Sequence, residues 1–307
     1  TEEEQRRVDK GEINKRTVQY FKSLKKKLQS FEDFKGKKIS LTDITISLNQ
    51  EFVSYLENEQ YLSPNTIGRY IKYLRQLCSN AEMKGYSVSK DYKSRLFKAP
   101  SGKTYDVYLT TDEIDKIFEY KFENEKLDNV RDWLIVAVWT GLRVSDFLRL
   151  DSSFIKNYDY IEITTVKTKS PLLIYINPYI KTILKKREGN FPPVISSQKF
   201  NDYVKIVCEK AGINKKVKGA KLVPIDIGKN GKEEIIYRKK TGNFKKYELI
   251  SSHVGRRSFA TNMYGELPTL SIMKITGHTT EKQFLSYIKT SESEYAEQHK
   301  AYWENKS

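Results

Sequence analysis

The chain has 307 residues, enough for one large or two ordinary domains, and its 38% hydrophobic and 12% aromatic content excludes wholesale disorder. Lys and Arg total 55 against 39 acids, a net charge of +16 that asks for a polyanionic partner, nucleic acid first and an anionic membrane surface second. No stretch approaches the ~18 uninterrupted apolar residues of a bilayer span.

The opening TEEEQRR has no apolar signal core and no initiating Met, so further sequence ahead of Thr1 is expected. Residues 1–100 read as helical throughout. Val18, Phe21, Leu24, Leu28 and Phe31 recur at helical intervals with lysines on the other face, and Leu41 to Tyr55 repeats the pattern. Ser63-Pro64 opens a third helix whose stripe is Ile67, Tyr70, Ile71, Leu74 and Leu77, and Gly85 closes it. This block holds 20 basic and 13 acidic side chains, a surplus of +7. The polar, turn-forming Ala99-Pro100-Ser101-Gly102-Lys103 is the candidate linker.

Thr110-Thr111-Asp112-Glu113 is a capping box that starts a helix in a second block. Arg131 to Thr140 is a strongly apolar helix ended by Gly141, and Leu142 to Leu150 is expected to resume as another. A β-branched hairpin follows, from Tyr160–Val166 through Lys167-Thr168-Lys169-Ser170 to Leu172–Ile176. Residues 201–250 carry 13 basic and 6 acidic side chains, and two turn signals, Gly228-Lys229-Asn230-Gly231 and Thr241-Gly242-Asn243, predict an exposed basic hairpin or a solvated loop. From Ser251 onward the chain is helical again.

Cys78 and Cys208 belong to no C-x-x-C pair, and with His253, His278 and His299 they make a poor metal-ligand set. A disulfide framework, a metal and a cofactor are all unexpected, and a reducing compartment is the default. A cation-rich chain of this kind can act on a phosphodiester with guanidinium groups on the nonbridging oxygens, a His or Lys for the leaving oxygen, and a side-chain hydroxyl to hold the phosphate covalently. Such a set is present. Arg143 follows a helix-ending glycine, His253 and Arg256 lie three residues apart, Gly277-His278 sits at a helix junction, and Tyr287 lies nine residues further on. Each has a plainer reading: an exposed helix pair among 13 arginines, a C-cap, a core residue among 21 tyrosines, an Arg143–Asp146 pair.

Order and spacing together settle the resemblance. T-G-L-R-V-S-D-F-L-R-L, H-V-G-R-R-S-F-A-T, and G-H followed after nine residues by Y resemble, in order, the active-site boxes of the tyrosine recombinase or phage-integrase family; S-P-N-T-I-G-R-Y-I-K-Y-L resembles its core-binding domain. The resemblance implies a mainly α fold with a small β-hairpin or sheet (α+β). It places a helical, SAM-like core-binding domain over 1–100 and a catalytic domain over 101–307, closing as a C-shaped clamp on DNA. It implies a site-specific recombinase that cuts and rejoins DNA through a 3′-phosphotyrosyl intermediate to integrate or excise a mobile element. Arg143 and Arg256 would clamp the scissile phosphate and Tyr287 would attack it. Lys167, 24 residues after Arg143, would protonate the leaving 5′-oxygen, with Lys169 as runner-up. His253 would assist proton transfer from Tyr287, His278 would hydrogen-bond the phosphate, Asp146 would orient, and Arg257 would contact DNA backbone or serve the surface. Implied partners are double-stranded DNA, further copies forming a tetramer on it, and accessory DNA-bending or directionality proteins, in a bacterial cytoplasm at the nucleoid and away from membranes.

Two features depart from the simplest pattern. The 86-residue gap from Lys167 to His253 points to a DNA-contacting insertion in the basic 219–248 segment, and the start at Thr1 leaves room for a preceding arm-site-binding domain. The tail from Ser291 to Ser307 is expected to dock on a neighbouring subunit. Rival readings are a type IB topoisomerase, which uses the same chemistry to relax DNA, and a DNA-binding module without catalysis.

Overall fold

A computed structural model describes residues 2–11, 14–102, 104–228, 234–288, 296, 299–300 and 303–304. The chain divides into two compact units, residues 1–104 with 222–240, and residues 105–221 with 241–307.

The first unit opens with α1 (Glu2–Asp9), and α2 (Lys15–Lys35), α3 (Ile46–Asn58) and α4 (Pro64–Met83) surround one apolar core. Its centre is Leu24 and Phe31 of α2, Phe52 and Leu56 of α3, and Ile67, Ile71 and Leu74 of α4, the stripes that periodicity marks. Side chains set the helix starts. Asn14 accepts from the Arg16 amide, Thr45 accepts from the Leu48 amide, and Pro64 occupies the first turn of α4. The helix expected from Leu41 to Tyr55 is instead split. Ser40 and Asp43 close a 3-10 turn over Leu41–Asp43, and the Thr45 hydroxyl then caps a fresh start at Ile46.

The second unit is built round α6 (Glu125–Thr140), which follows α5 (Thr111–Glu119) and its Thr110/Glu113 capping box. Val130, Trp133, Leu134, Ile135, Val136, Ala137 and Val138 are each buried, so α6 is apolar on all sides and acts as the unit's axis. Next come a four-residue helix α7 (Val144–Phe147) and the strands β1 (Ile155–Lys156), β2 (Tyr160–Thr164) and β3 (Pro171–Tyr175). These form an antiparallel sheet in which Tyr160 faces Tyr175 and Ile163 faces Leu172. Ile161 and Ile163 alternate inward along β2, the half-buried pattern expected of that hairpin. The continuous helix expected over Leu142–Leu150 shrinks to one turn because Leu142 and Leu150 are pulled into the core on either side of it.

Helices α8 (Pro178–Lys186) and α9 (Ser197–Lys210), which the sequence reading leaves unassigned, cover the axis with Ile180, Ile183, Phe200, Val204 and Val207. The basic hairpin exists as β4 (Lys216–Asp226) and β5 (Ile235–Lys245), mostly exposed. Its outer half, Leu222–Lys240, groups with the first unit, where Arg238 Nη2 donates to the Gln60 carbonyl at 2.9 Å. The Thr241-Gly242-Asn243 signal is no turn and lies within β5, while residues 229–233 of the other signal lie outside the described residues. The chain closes with α10 (His253–Met263), α11 (Thr269–Thr276) and α12 (Glu281–Leu285); most of the 291–307 tail lies outside the described residues. Among the described residues no helix is long and apolar enough to cross a membrane.

Candidate active site

Two close approaches bring the arginine boxes together. Gly141 ends α6 with φ 64°, a left-handed conformation that glycine adopts without strain, and a Cβ there would lie 2.6 Å from the Phe259 ring of α10. One turn earlier on α10, a Cβ on Gly255 would lie 2.6 Å from the Ala137 Cβ of α6. With both contacts made through glycine, α10 sits on α6, and Arg256 Nη1 donates to the Gly141 carbonyl at 3.1 Å. Arg143 leaves the same turn in an extended conformation, φ −75° and ψ 156°, and its carbonyl accepts from the amides of Asp146 and Phe147 to start α7.

The resulting cluster is short of negative charge. Arg256 is 3% exposed, and burial, followed by repulsion from Arg143, pushes its pKa down to about 10, with the Tyr287 phenol acting in the opposite direction. Arg143 Nη1 and Arg256 Nε and Nη2 are buried donors with no hydrogen-bond partner among the described residues. Such groups cost stability unless something occupies them, and an oxyanion fits both their charge and their fork geometry. His278 follows Gly277, the left-handed cap of α11, and its Nδ1 lies 2.8 Å from Thr276 Oγ1. Its Nε2 is buried with no hydrogen-bond partner among the described residues, and burial, then Arg256 and Arg143, bring its pKa down to about 4.

Tyr287 stands in the same cluster. Its ring centroid is 4.6 Å from that of His278, and the Arg256 guanidinium lies 5.8 Å from it. The helix expected to carry it stops at Leu285; Tyr287 occupies the turn just after α12, its amide donating to the Phe284 carbonyl at 2.8 Å. Phe284 is fully buried beside Phe259 and Ile272 and anchors that turn. His253 opens α10 as an exposed residue against the surrounding protein; partial burial, then Arg257, Arg256 and Arg143, lower its pKa, while Asp106 opposes them.

Lys167 is exposed on the turn between β2 and β3. The turn is closed by the Thr165 amide on the Ser170 carbonyl at 2.9 Å and by the Thr165 and Thr168 hydroxyls 2.8 Å apart. The fully buried Asp146 ties it to α7 by accepting the Val166 amide at 2.8 Å. On its other side, a Cβ on Gly277 would be 3.7 Å from Thr168 Oγ1, so the turn runs beside the approach to His278. Lys169, the runner-up, sits at φ 54° on the returning limb.

Arg143, Arg256, His278 and Tyr287 thus converge, His253 shares a helix with Arg256, and Lys167 is carried in on a tethered turn. The simple Arg143–Asp146 ion pair is not formed: Asp146 orients the hairpin, and its ion pair runs to Arg149 at 3.8 Å. Arg257 pairs with Asp106 at 2.6 Å. The sequence reading missed Thr165, Asp106 and Thr276; for Thr276 a signal existed, a hydroxyl two residues ahead of a histidine at a helix end.

Comparison with known proteins gives the family and the fold. Residues 2–100 match the phage integrase SAM-like domain and residues 107–294 match the phage integrase family. Among solved structures, the chain is similar to a lambda integrase dimer bound to a COC′ core site, at 17% identity over 90% of this chain and 89% of that one, with a TM-score of 0.64. It is similar to the Tn1549 transposon integrase in complex with circular intermediate DNA, at 14% identity over 96% of each chain and a TM-score of 0.64. The XerH site-specific recombinase bound to palindromic difH substrate matches at 18% identity over 90% of this chain and 75% of that one, with a TM-score of 0.58. No curated protein sequence matches the chain.

Proposed function

The chain belongs to the phage integrase family and is a tyrosine-type site-specific DNA recombinase, and from that premise we propose how its own residues carry the reaction. Tyr287 attacks a DNA phosphorus, forming a 3′-phosphotyrosyl bond and releasing a 5′-hydroxyl. Arg143 and Arg256 hold the nonbridging oxygens and stabilise the charge that builds on them in the pentavalent transition state. Lys167 supplies the proton to the leaving 5′-oxygen, and His253 and His278 are the two imidazoles of the set. The observation that carries this reading is the trio of buried, unpartnered guanidinium nitrogens beside a phenol on the same chain.

Duplex DNA is the proposed partner, gripped mainly through its phosphates, so affinity falls steeply as salt rises. Residues 1–100 serve as the core-binding domain and 101–307 as the catalytic domain, with the basic 219–248 hairpin as a further DNA-contacting segment. Deleting that segment should lower affinity. One similar structure is a lambda integrase tetramer bound to a Holliday junction, and we assign this chain a tetramer on DNA as its working form, with accessory DNA-bending or directionality proteins. Integration or excision of a mobile element at a bacterial nucleoid, in the cytoplasm, is the corresponding role.

The test is incubation with a nicked suicide substrate. A covalent protein–DNA adduct that Tyr287→Phe abolishes is expected, and an adduct that survives that change overturns the assignment of the nucleophile. Strand joining between two duplexes, rather than relaxation of one, separates this activity from that of a type IB topoisomerase.

A further inference from the structure

A neutral imidazole has one N–H hydrogen, and the partner of one nitrogen decides what the other can do. Thr276 is buried at the end of α11, and its single hydroxyl hydrogen has three neighbours, the Ile272 carbonyl oxygen at 2.6 Å, His278 Nδ1 at 2.8 Å and, much longer, the Met273 carbonyl oxygen at 3.4 Å. A carbonyl can only accept, so the hydroxyl donates to Ile272, the bond one turn back that threonine commonly makes in a helix. Its oxygen lone pair then faces Nδ1, which must donate. The neutral ring is therefore protonated on Nδ1, and Nε2 is an acceptor. That Nε2 is the buried, unpartnered atom, in the ring packed 4.6 Å from the ring of Tyr287.

We propose that Thr276 fixes this tautomer so that His278 Nε2 accepts the phenolic proton of Tyr287 as the phenol attacks DNA. The proposal rests on the recombinase reading and departs from the roles that the family resemblance implies, His253 for the phenolic proton and His278 as a phosphate donor. In the step, the bond from Tyr287 Oη to phosphorus forms and the bond from phosphorus to the 5′-oxygen breaks. The phenolic proton passes to Nε2, the leaving oxygen takes a proton from Lys167, and rejoining reverses both transfers. The phosphate does not need His278 as a donor, because Arg143 Nη1 and Arg256 Nε and Nη2 already offer three unpartnered N–H groups. Within this cluster Asp146 Oδ2 is a further acceptor without a partner among the described residues, but its carboxylate is engaged with the Val166 amide and with Arg149.

The charged groups around the ring are Arg256 on α10 and Arg143 ahead of α7, with the Tyr287 phenol after α12 and the Lys167 turn beside Gly277. The buried Asp146 offsets the charge of Arg256 only in part, and burial together with the two guanidiniums keeps the ring neutral and ready to accept. A scissile phosphate set between them offsets their charge and raises its basicity when the proton has to move.

The decisive measurement is a long-range 1H–15N spectrum of the full chain labelled in its three histidines, assigned with His253→Gln and His299→Gln. The expected result near neutral pH is a hydrogen on Nδ1 and none on Nε2 of His278; a hydrogen on Nε2 overturns the proposal, and no variant of Thr276 is needed to see it. Thr276→Val should move the hydrogen to Nε2 and slow single-turnover adduct formation by about 10²-fold, the low end of acid–base contributions, with duplex affinity unchanged. Thr276→Ser should restore both. Adduct formation by the unmutated protein should hold level or fall on acidification from neutrality; a rise means that His278 acts as a cation on the phosphate and overturns the proposal. Complete absence of an adduct strikes the recombinase reading and leaves the spectrum standing, whereas a normal rate in Thr276→Val strikes the proposal alone.

Discussion

In the proposed reaction Arg256 and Lys167 serve the same phosphate from opposite kinds of structure. Arg256 is 3% exposed on a helix wedged against the unit's axis, with one nitrogen tied to Gly141 and two left unpartnered. Lys167 is exposed on a turn held at its base by Asp146 and the Thr165 hydroxyl. Charge stabilisation works best when donors are already aimed before the reaction begins, which requires burial and rigid packing. Delivering a proton to a leaving group and then drawing back requires reach. The protein thus accepts an electrostatic penalty at one end of the site and loose anchorage at the other.

The sharpest way to break this comparison is Arg256→Met. Without DNA the buried guanidinium is desolvated and repelled by Arg143, so removing its charge should raise Tm by about 2 °C while adduct formation falls ~10³-fold. Thermal melts alongside single-turnover cleavage decide it. A lower Tm would make Arg256 a structural cation instead.

Lys167→Ala comes next. Adduct formation on ordinary DNA should drop ~10²-fold with an unchanged melt, because an exposed turn residue adds little to folding. A substrate with sulfur in place of the 5′-bridging oxygen has a leaving group that needs no proton, and should restore the rate. Lys169→Ala should leave both substrates untouched; if it alone gives the defect that sulfur rescues, the two lysines exchange roles.

Asp146→Ala tests the tether. The Val166 amide loses its buried acceptor, at a cost of about 2 kcal/mol in a denaturant melt. Its cleavage defect should be milder than that of Lys167→Ala and equally rescued by sulfur. A defect that sulfur does not rescue would mean that Asp146 acts on the arginines instead of on the hairpin.

How far the sequence foretold all this depended on whether the signal was local. Capping residues such as Thr110 and Glu113, the left-handed Gly141 and the β-branched alternation of β2 act within a few residues and could be read directly. The active-site boxes were legible as an ordered pattern. What stayed hidden depended on contacts distant in sequence. Gly255 reads as an ordinary helix glycine until Ala137 is placed against it. Leu142–Leu150 looked helical, but core packing on both sides cut it to one turn, and α12 stopped two residues short of Tyr287. The Asp106 partner of Arg257 lies 151 residues away in sequence, so the arginine next to Arg256 seemed free for DNA.

That neighbour gives the smallest predicted effect, and it separates two adjacent cations on one helix. Arg257 is half-buried and committed to Asp106, so Arg257→Ala should cost at most about 1 kcal/mol and change cleavage little. Its measurable trace should be on His253. Burial lowers that imidazole's pKa most, Arg257 next, and Asp106 raises it. Removing Arg257 deletes a lowering influence while the Asp106 carboxylate still favours the imidazolium, so His253 must titrate at higher pH in the variant. An NMR titration of the His253 ring reads this directly. A pKa that stays put or falls would mean that Arg257 acts on the DNA side of α10, and that the division between a charge aimed at substrate and a charge held by the fold is drawn in the wrong place.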